Sequence, residues 1–484
     1  MRFLDVFRRR RGGRRDYEAS STGRLFSSWL TTTRSADAET RYSLRALRAR
    51  SRDLAINNDY ARKYLKMVVA NVVGPHGIKL QVRARDADGT LDQAANSLIE
   101  GRFAGWSESC TVDGRLTWVE AQQLFIETVA RDGEALVYLV ASSKAANRFG
   151  LELQFIDPDL LDIEKNGTAP GGNEIRMGVE VDSGGRPVAY WLLDRHPSDY
   201  QYAKPGNGQY RRVPAGDMIH AFIVDRAGQT RGVPWMATAM SRLKMLGGYE
   251  ESELVAARVS ASKMGFFTSP DGEGYTGDAT DGGNIVTEVA PGQFEQLPKG
   301  VDFKPFDPQH PSTAFKDFEK AMLRGIASGL NVSYCTLSND LESVNYSSIR
   351  QGLLDERDQW RVMQYWMVGA FCEQVYLRWL SRAMDAGEIA LPESKMWKWT
   401  QTVWVPRGWQ WVDPEKETNA QVLAIDNGLM TLTQALAERG LDLEDVIAQR
   451  AAENALLKAF GLLPAPGASA PAPRPRPDEP TDQN

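Results

Sequence analysis

Between Ile349 and Met384 apolar side chains return every three or four residues: Ile349, Leu353, Trp360, Met363, Met367, Ala370, Phe371, Leu377, Leu380 and Met384, with Gly387 as the stop. That period predicts a single amphipathic helix opening near Ser347. About 40 residues at 1.5 Å each make a rod of roughly 60 Å, several times the length of an ordinary globular helix. Such a rod cannot hide its stripe inside a small monomeric core. It needs neighbours along its whole length, which a ring of copies supplies readily.

Two further helical segments precede it. The first runs from Val233-Pro-Trp-Met to about Met264, with Pro234 suited to the first turn because its missing N–H would be unpaired there. It would span about 48 Å. Gly247 and Gly248 are its weak point, at roughly 1 kcal/mol each relative to alanine, and a bend is expected there. Its charges are Arg242, Lys244, Arg258 and Lys263 against Glu250, Glu251 and Glu253. The second segment, Ser312 to Gly329, sets Phe315, Phe318, Met322 and Ile326 at helical spacing. Between them, Gly265 to Pro311 is rich in glycine and proline. It holds the β-prone pieces Met264–Thr268, Asn284–Val289 and Gln293–Leu297. Isolated two-stranded hairpins are marginal in water, so these pieces are expected to complete their sheets with strands of neighbouring copies. After the second segment a polar run, Asn339-Asp-Leu-Glu-Ser-Val-Asn-Tyr-Ser-Ser, shows no apolar period until Ile349.

The order of these parts, and the phrases Gln229-Thr-Arg-Gly-Val-Pro-Trp, Ile326-Ala-Ser-Gly-Leu-Asn-Val-Ser-Tyr and Asn345-Tyr-Ser-Ser-Ile-Arg, resemble the portal proteins of lambda-like tailed bacteriophages. Earlier phrases fit in the same order: Asn57-Asn-Asp-Tyr-Ala-Arg, Ala70-Asn-Val-Val-Gly, Asp132-Gly-Glu, Ile156-Asp-Pro-Asp-Leu-Leu and Val213-Pro-Ala-Gly-Asp-Met-Ile-His. The resemblance covers residues 40 to 390. It implies an α+β, mainly helical portal fold: a flexible basic segment (1–40), the N-terminal part of an α/β wing (41–232), a first stem helix (233–263), a small α/β clip (264–311), a second stem helix (312–335), a tunnel loop (336–348), a long helix with a wing strand (349–412), a helical crown (413–461) and a disordered Pro/Ala-rich tail (462–484).

The functional residues follow from the same resemblance. The tunnel loop would face DNA through Ser338, Asn339, Asp340, Glu342, Ser343, Asn345 and Tyr346. Arg258, Lys263, Lys316, Lys320 and Arg324 are the candidate stem cations for brief phosphate contacts, with ordinary solvated or intersubunit charges as the alternative. The implied function is a ring of about twelve copies at one capsid vertex of the virion, assembled in the host cytoplasm, through which double-stranded DNA passes without sequence reading. Implied partners are terminase, major capsid and scaffold proteins, and later a head-completion or adaptor protein.

Local patterns fill in the remainder. Helices are expected across Ser43–Val73, with Asn57-Asn-Asp capping the second of two, and at Gln93–Trp106 and Trp118–Arg131. Strands are expected at Glu134–Ala141, Leu151–Ile156, Glu174–Val181, Val188–Leu193 and Met218–Val224. Trp397, Trp399, Trp404, Trp409 and Trp411 recur at mostly even spacing, as on one strand face. With cationic neighbours they could stack single-stranded bases; packing against the wing is the preferred reading.

Charge is uneven. Residues 1–60 hold 14 Arg against 7 Asp or Glu, while the whole chain carries −6, which leaves the rest near −13. An acidic body suits a channel that DNA must slide through, since net repulsion prevents sticking; ordinary solubility charge accounts for the same composition equally well. The block Arg8-Arg-Arg-Arg-Gly-Gly-Arg-Arg is a flexible solvated tail by default, with contacts to DNA phosphates or to a scaffold or core protein as the alternatives. Apolar runs such as Met67 to Ala70 are far shorter than the roughly 20 residues a bilayer span needs, so no membrane partner is expected. Cys110, Cys335 and Cys372 read as free thiols.

Catalytic patterns are sparse. His76, His196, His220 and His310 show no paired metal spacing, no Walker A sequence occurs and no serine lies in a nucleophile elbow. No catalytic, cofactor or metal residue is assigned. The alternative from another class is a metal-dependent nuclease built on Asp157, Asp159, Asp162 and Glu164, though Asp157-Pro-Asp reads more simply as a turn and cap. Asp132-Gly-Glu134 likewise reads as a turn entering a strand.

Overall fold

A computed structural model describes residues 31–141, 147–199, 210–261, 265–268, 280–281, 284–285, 302–305, 315–342, 346–409, 414–437, 441 and 443–461, with Arg24 and Ser28; at 259–305, 346–350, 414–417, 437, 444 and 445 it describes the backbone alone. The basic segment before Arg24, the Pro/Ala-rich tail, the β-prone piece Gln293–Leu297 and Trp411 lie outside the described residues.

Helix α1 (Ala36–Asn57) is capped by Ser35, whose hydroxyl accepts from Ala38 N at 3.1 Å, and α2 (Asp59–Val72) by Asn58, which accepts from Ala61 N at 3.0 Å. A side-chain oxygen at this position satisfies a donor that the first helical turn leaves open. Helix α3 (Gln93–Ser107) follows, then α4 (Trp118–Asp132) behind a capping box of Thr117 and Glu120. Strand β1 (Lys79–Val82) lies between α2 and α3.

Gly133 ends α4 in the left-handed region, φ +91°, and the chain passes straight into β2 (Glu134–Ala141). Strand β2 is the centre of an antiparallel sheet, between β3 (Leu151–Ile156) and β9 (Met218–Phe222). A second antiparallel sheet runs in sequence order through β4 (Gly167–Thr168), β5 (Glu174–Arg176), β6 (Val179–Val181), β7 (Pro187–Leu193) and β8 (Tyr210–Pro214). The expected single strand Glu174–Val181 is therefore two. Met177 and Gly178 take positive φ, 48° and 85°, and turn the chain between them.

Helix α5 (Met240–Ala261) starts seven residues later than Val233. Residues 233–239 are instead held against α4, with Trp235 N donating to Ala130 O at 3.1 Å. The helix is about 33 Å long and passes through Gly247 and Gly248 without interruption. Next come β10 (Gly265–Thr268), β11 (Thr280–Asp281), β12 (Asn284–Ile285) and β13 (Asp302–Pro305). Strand β10 pairs with β13 and β11 with β12, both antiparallel. Each of these described pairs is a two-stranded sheet within the chain. Helix α6 (Phe315–Leu330) returns along α5, where Tyr249 meets Phe315 and Phe318 at 5.7 and 4.9 Å between ring centroids.

After α7 (Tyr334–Ser338) the long rod appears as α8 (Tyr346–Met367), a π turn (Val368–Cys372) and α9 (Glu373–Asp385). The π turn widens the hydrogen-bond ring by one residue and so rotates everything after it. The buried positions beyond it are Val375, Tyr376, Trp379, Leu380 and Ala383, whereas Leu377, expected inside, is half exposed. These side chains enter an aromatic core with Phe103, Trp106, Trp118 and Phe371; Phe371 stacks on Phe125 at 4.1 Å.

The tryptophan series is not one strand face. Trp397 and Trp399 sit on α10 (Met396–Trp399) and Trp404 on β14 (Thr402–Val405), which pairs antiparallel with β1. Trp399 and Trp404 are buried in the main core and Trp397 is exposed. Helices α11 (Pro414–Asp426), α12 (Leu432–Ala437) and α13 (Leu443–Ala459) close the described chain. No helix among the described residues is long and apolar enough to cross a membrane.

Candidate functional site

The segment after α7 is tied to α6 by charge. Asn339 ends α7 in the left-handed region, φ 58°, a conformation that asparagine tolerates better than most side chains. Asp340 then accepts from the Tyr334 hydroxyl at 2.7 Å and from Glu342 N at 2.9 Å, and lies 2.9 Å from Lys320 Nζ. Glu342 meets Lys316 at 2.5 Å and Lys320 at 3.4 Å. Lys63, from α2, donates to Asn339 Oδ1, and Ser338 Oγ donates back to Tyr334 O. The Tyr334 hydroxyl, with Lys320, holds the Asp340 carboxyl well below the usual carboxylate range. Lys316 and Lys320 lower that of Glu342, and Asp340 raises the Lys320 ammonium.

Two sets of candidates thus converge. The acids Asp340 and Glu342 are the ion-pair partners of the cations Lys316 and Lys320, so neither set presents bare charge here. Arg324 places its guanidinium 5.4 Å from the Tyr334 ring. Arg258 is exposed on α5, away from this cluster in the sequence. Tyr346 is the first residue of α8, described by its backbone alone. Lys263, Ser343 and Asn345 lie outside the described residues.

A second charged centre went unseen in the sequence. Glu134, fully buried at the start of β2, meets Arg231 at 2.5 Å, Arg48 at 2.7 Å and His220 Nε2 at 3.0 Å. Arg231, also fully buried, donates further to the carbonyls of Leu161 (2.8 Å), Met177 (2.7 Å) and Pro158 (3.2 Å). Burial pushes the Glu134 carboxyl up, but Arg231, His220 and Arg48 together hold it well below its ordinary value. Burial lowers the His220 imidazole, and this outweighs the attraction of Glu134. The available signal was Arg48, which shares the apolar face of α1 with Leu44 and Ser51. A charge on a helix's buried face requires a partner.

The supposed metal cluster is occupied by arginines. Asp157 caps a short turn by accepting from Asp159 N at 2.9 Å. Arg52 bridges Asp157 (2.8 Å) and Asp159 (2.7 Å), and Arg48 also reaches Asp159 (2.6 Å). His196 joins Asp157 and Asp159, with ligand atoms within 4.8 Å of one another. Asp162 and Glu164 do not join them: Asp162 accepts from the Tyr210 hydroxyl at 2.6 Å, and Glu164 pairs with Arg41 at 3.3 Å. The four-carboxylate grouping expected for a nuclease is not formed, and two guanidinium groups already neutralise the pair that is.

The profile of the family described as "Phage portal protein, lambda family" matches residues 22–364. The chain belongs to that family. It is 36% identical over 458 residues to the probable portal protein of Halomonas phage phiHAP-1, covering 93% of this chain and 88% of that one. Portal protein B of Escherichia phage lambda is 24% identical over 492 residues, covering 92% and 90%. Among solved structures, a chain in the neck of an empty GTA particle computed with C6 symmetry aligns over 81% of this chain and 93% of its own, at 14% identity and a TM-score of 0.47. The portal-family match includes α5, α6, the ion-paired segment after α7 and most of α8. It ends before the tryptophan-rich stretch.

Proposed function

We propose that this portal-family chain assembles into a ring of about twelve copies at a single capsid vertex. In this reading α5 and α6 form the stem, β10 to β13 belong to the clip, and the segment from Ser338 to Tyr346 borders a channel for double-stranded DNA during packaging and ejection. Terminase docks on the ring during packaging and head-completion proteins replace it afterwards; capsid and scaffold proteins hold it in the shell. The chain makes and breaks no covalent bond of its own.

The observation that carries the assembly is the outer face of α8. Leu354, Val362 and Tyr365 are 40%, 58% and 79% exposed. At 100° per residue they fall within about 80° of one another around the helix. Exposed apolar side chains on one face of the long rod, with the Arg361–Asp358 ion pair among them, lose free energy in water and gain it against a neighbouring copy. Electron microscopy of purified protein, with mass measurement in solution, tests the reading. Rings with a central opening wider than duplex DNA are expected. A homogeneous monomer at micromolar concentration, with no ring in purified procapsids, would overturn it.

A further inference from the structure

Four apolar side chains from four separate segments stand open around one groove. Leu429, in the turn between α11 and α12, is 83% exposed and Tyr365 of α8 is 79% exposed. Val403 of β14 and Leu441, just before α13, are half-exposed, and all four line a cleft of about 650 Å³. The walls are fixed. Leu429 N donates to Ala424 O at 2.8 Å behind Gly428, whose φ of +70° closes the end of α11. Thr431 and Gln434 cap the start of α12 reciprocally, at 2.9 and 3.2 Å. Leu441 N donates to Leu436 O at 2.9 Å, and across the groove buried Gln364 donates to Arg407 O at 3.1 Å. The two arginines in the lining are already engaged: Arg361 pairs with Asp358 at 2.8 Å and Arg407 donates to Ala70 O. What the groove leaves open is therefore mainly apolar. Its four open side chains all lie beyond residue 364, where the family match ends.

We propose that this groove seats the chain's own proline-rich carboxyl-terminal segment, residues 462–484. Helix α13 has 17 residues and is about 25 Å long, and Leu441 lies two residues before its start. Residues 462–470 span up to roughly 30 Å when extended. A chain that turns back along α13 thus brings residue 471 and those after it to the groove. There the prolines alternate, at Pro471, Pro473, Pro475 and Pro477. Proline fixes its own φ and favours an extended helix with no internal hydrogen bonds. Such a segment has little conformational freedom to lose on docking, which is why aromatic-lined grooves take it well. Tyr365 supplies the aromatic face here. Asp358 lies two helical turns before Tyr365 on the same side of α8 and is mostly exposed, so its carboxylate keeps acceptor sites for Arg474 or Arg476. The seated segment straps α11, α12 and α13 to the long helix. Tyr365 also belongs to the face offered to a neighbouring copy, so the strap runs along the edge of that contact. The strap needs one chain only and does not rest on the ring reading.

A photo-reactive amino acid in place of Ala472 of the full-length protein tests the seat. Irradiation followed by peptide mass spectrometry should place most crosslinks on residues 361–365, 403–409 and 429–441. Tyr365→Ser with Leu429→Ser, both at exposed positions, should lower that yield several-fold. If this variant fails to fold, serine substitution of Pro471, Pro473, Pro475 and Pro477 together gives the same loss without touching the groove. Co-assembly with an excess of isotope-labelled chains lacking the probe identifies the copy that is reached, and the crosslinked groove should be unlabelled. Crosslinks that scatter along the sequence, that join labelled chains alone or that persist undiminished in the variants overturn the seat, as does their absence. Each of these outcomes can be read in rings or in monomers, so failure of the strap leaves the ring reading untouched and failure to form rings leaves the strap testable.

Discussion

Lys320 Nζ lies 2.9 Å from Asp340, and this contact ties α6 to the segment leading into α8. Lys320 also reaches Glu342, and Tyr334 donates to Asp340 from the other side. The segment is therefore braced from two elements at once, and its two acids are not bare charges aimed outward.

Asp340→Asn with Glu342→Gln should release this brace while leaving α6 folded. The variant is expected to show faster proteolytic cleavage and faster amide exchange between Ser338 and Glu342. It should also bind duplex DNA with a steeper salt dependence, because Lys316 and Lys320 lose their partners. The pH dependence has a definite sign. A carboxyl whose folded value is depressed contributes fully above its ordinary value, about 3.9 for Asp, and loses that contribution only as pH falls through the depressed one. Protection in the unsubstituted protein should then persist below pH 4. Equal cleavage of both proteins at neutral pH would show that the brace does not order the segment.

Gly133 and Gly232 let two backbones touch. A Cβ at Gly133 would meet Val233 C at 2.4 Å, and one at Gly232 would meet Gly133 O at 2.1 Å. Neither obstacle is a movable side chain. Gly133→Ala or Gly232→Ala should separate the start of β2 from the segment before α5 and yield little soluble protein. Gly89→Ala is the control: its φ is +87° with nothing within 4 Å, so only left-handed strain remains, about 1–2 kcal/mol. Comparable soluble yield from all three would refute the close-approach argument.

Elements governed by local chemistry were legible in the sequence, and elements governed by distant contacts were not. The limits of β2 and β3, the Asn58 cap and the forty-residue span of α8 to α9 follow from turn residues and apolar period. The late start of α5 does not, because residues 233–239 are taken by the carboxyl end of α4 through Gly133. Leu377 was misplaced because a π turn leaves no mark in a three-and-four pattern. At the candidate site, the acids and cations were each visible, but their pairing requires α6 and α7 to fold back on one another. Arg231 is hidden most deeply: nothing in Gln229-Thr-Arg-Gly says that this arginine is fully buried.

Glu134 balances Arg231 and Arg48 in a space from which water is excluded. Glu134→Gln keeps the size and removes the charge, leaving two guanidinium groups facing each other. Breaking a buried pair from one side costs about 3–5 kcal/mol, and denaturant unfolding at fixed protein concentration should show a loss of that order. Glu180→Gln gives the comparison, since its partner Arg212 is partly open to solvent. A loss below that of Glu180→Gln would mean that the centre is not a stabilising core.

His220 should make stability depend on pH in one direction. Its imidazole is buried against Tyr190 and Phe222, with Glu134, Arg231 and Arg48 as the charges around it. Burial lowers its folded value below the ordinary 6.5. In the window between the folded value and 6.5 the unfolded chain therefore binds more protons than the folded one, and stability rises with pH there. The contribution is complete above about 6.5 and is lost as pH falls toward the folded value. Glu134 does not titrate in this window, because its carboxyl is held well below its ordinary value. His220→Gln retains an N–H donor for Glu134 and removes the titration. Chemical unfolding from pH 7.5 to 5, at constant salt and protein concentration, should show falling stability in the parent and a flatter profile in the variant. A parent profile that is flat, or that rises toward acid, would place a protonated imidazole beside Glu134 and reverse the assignment.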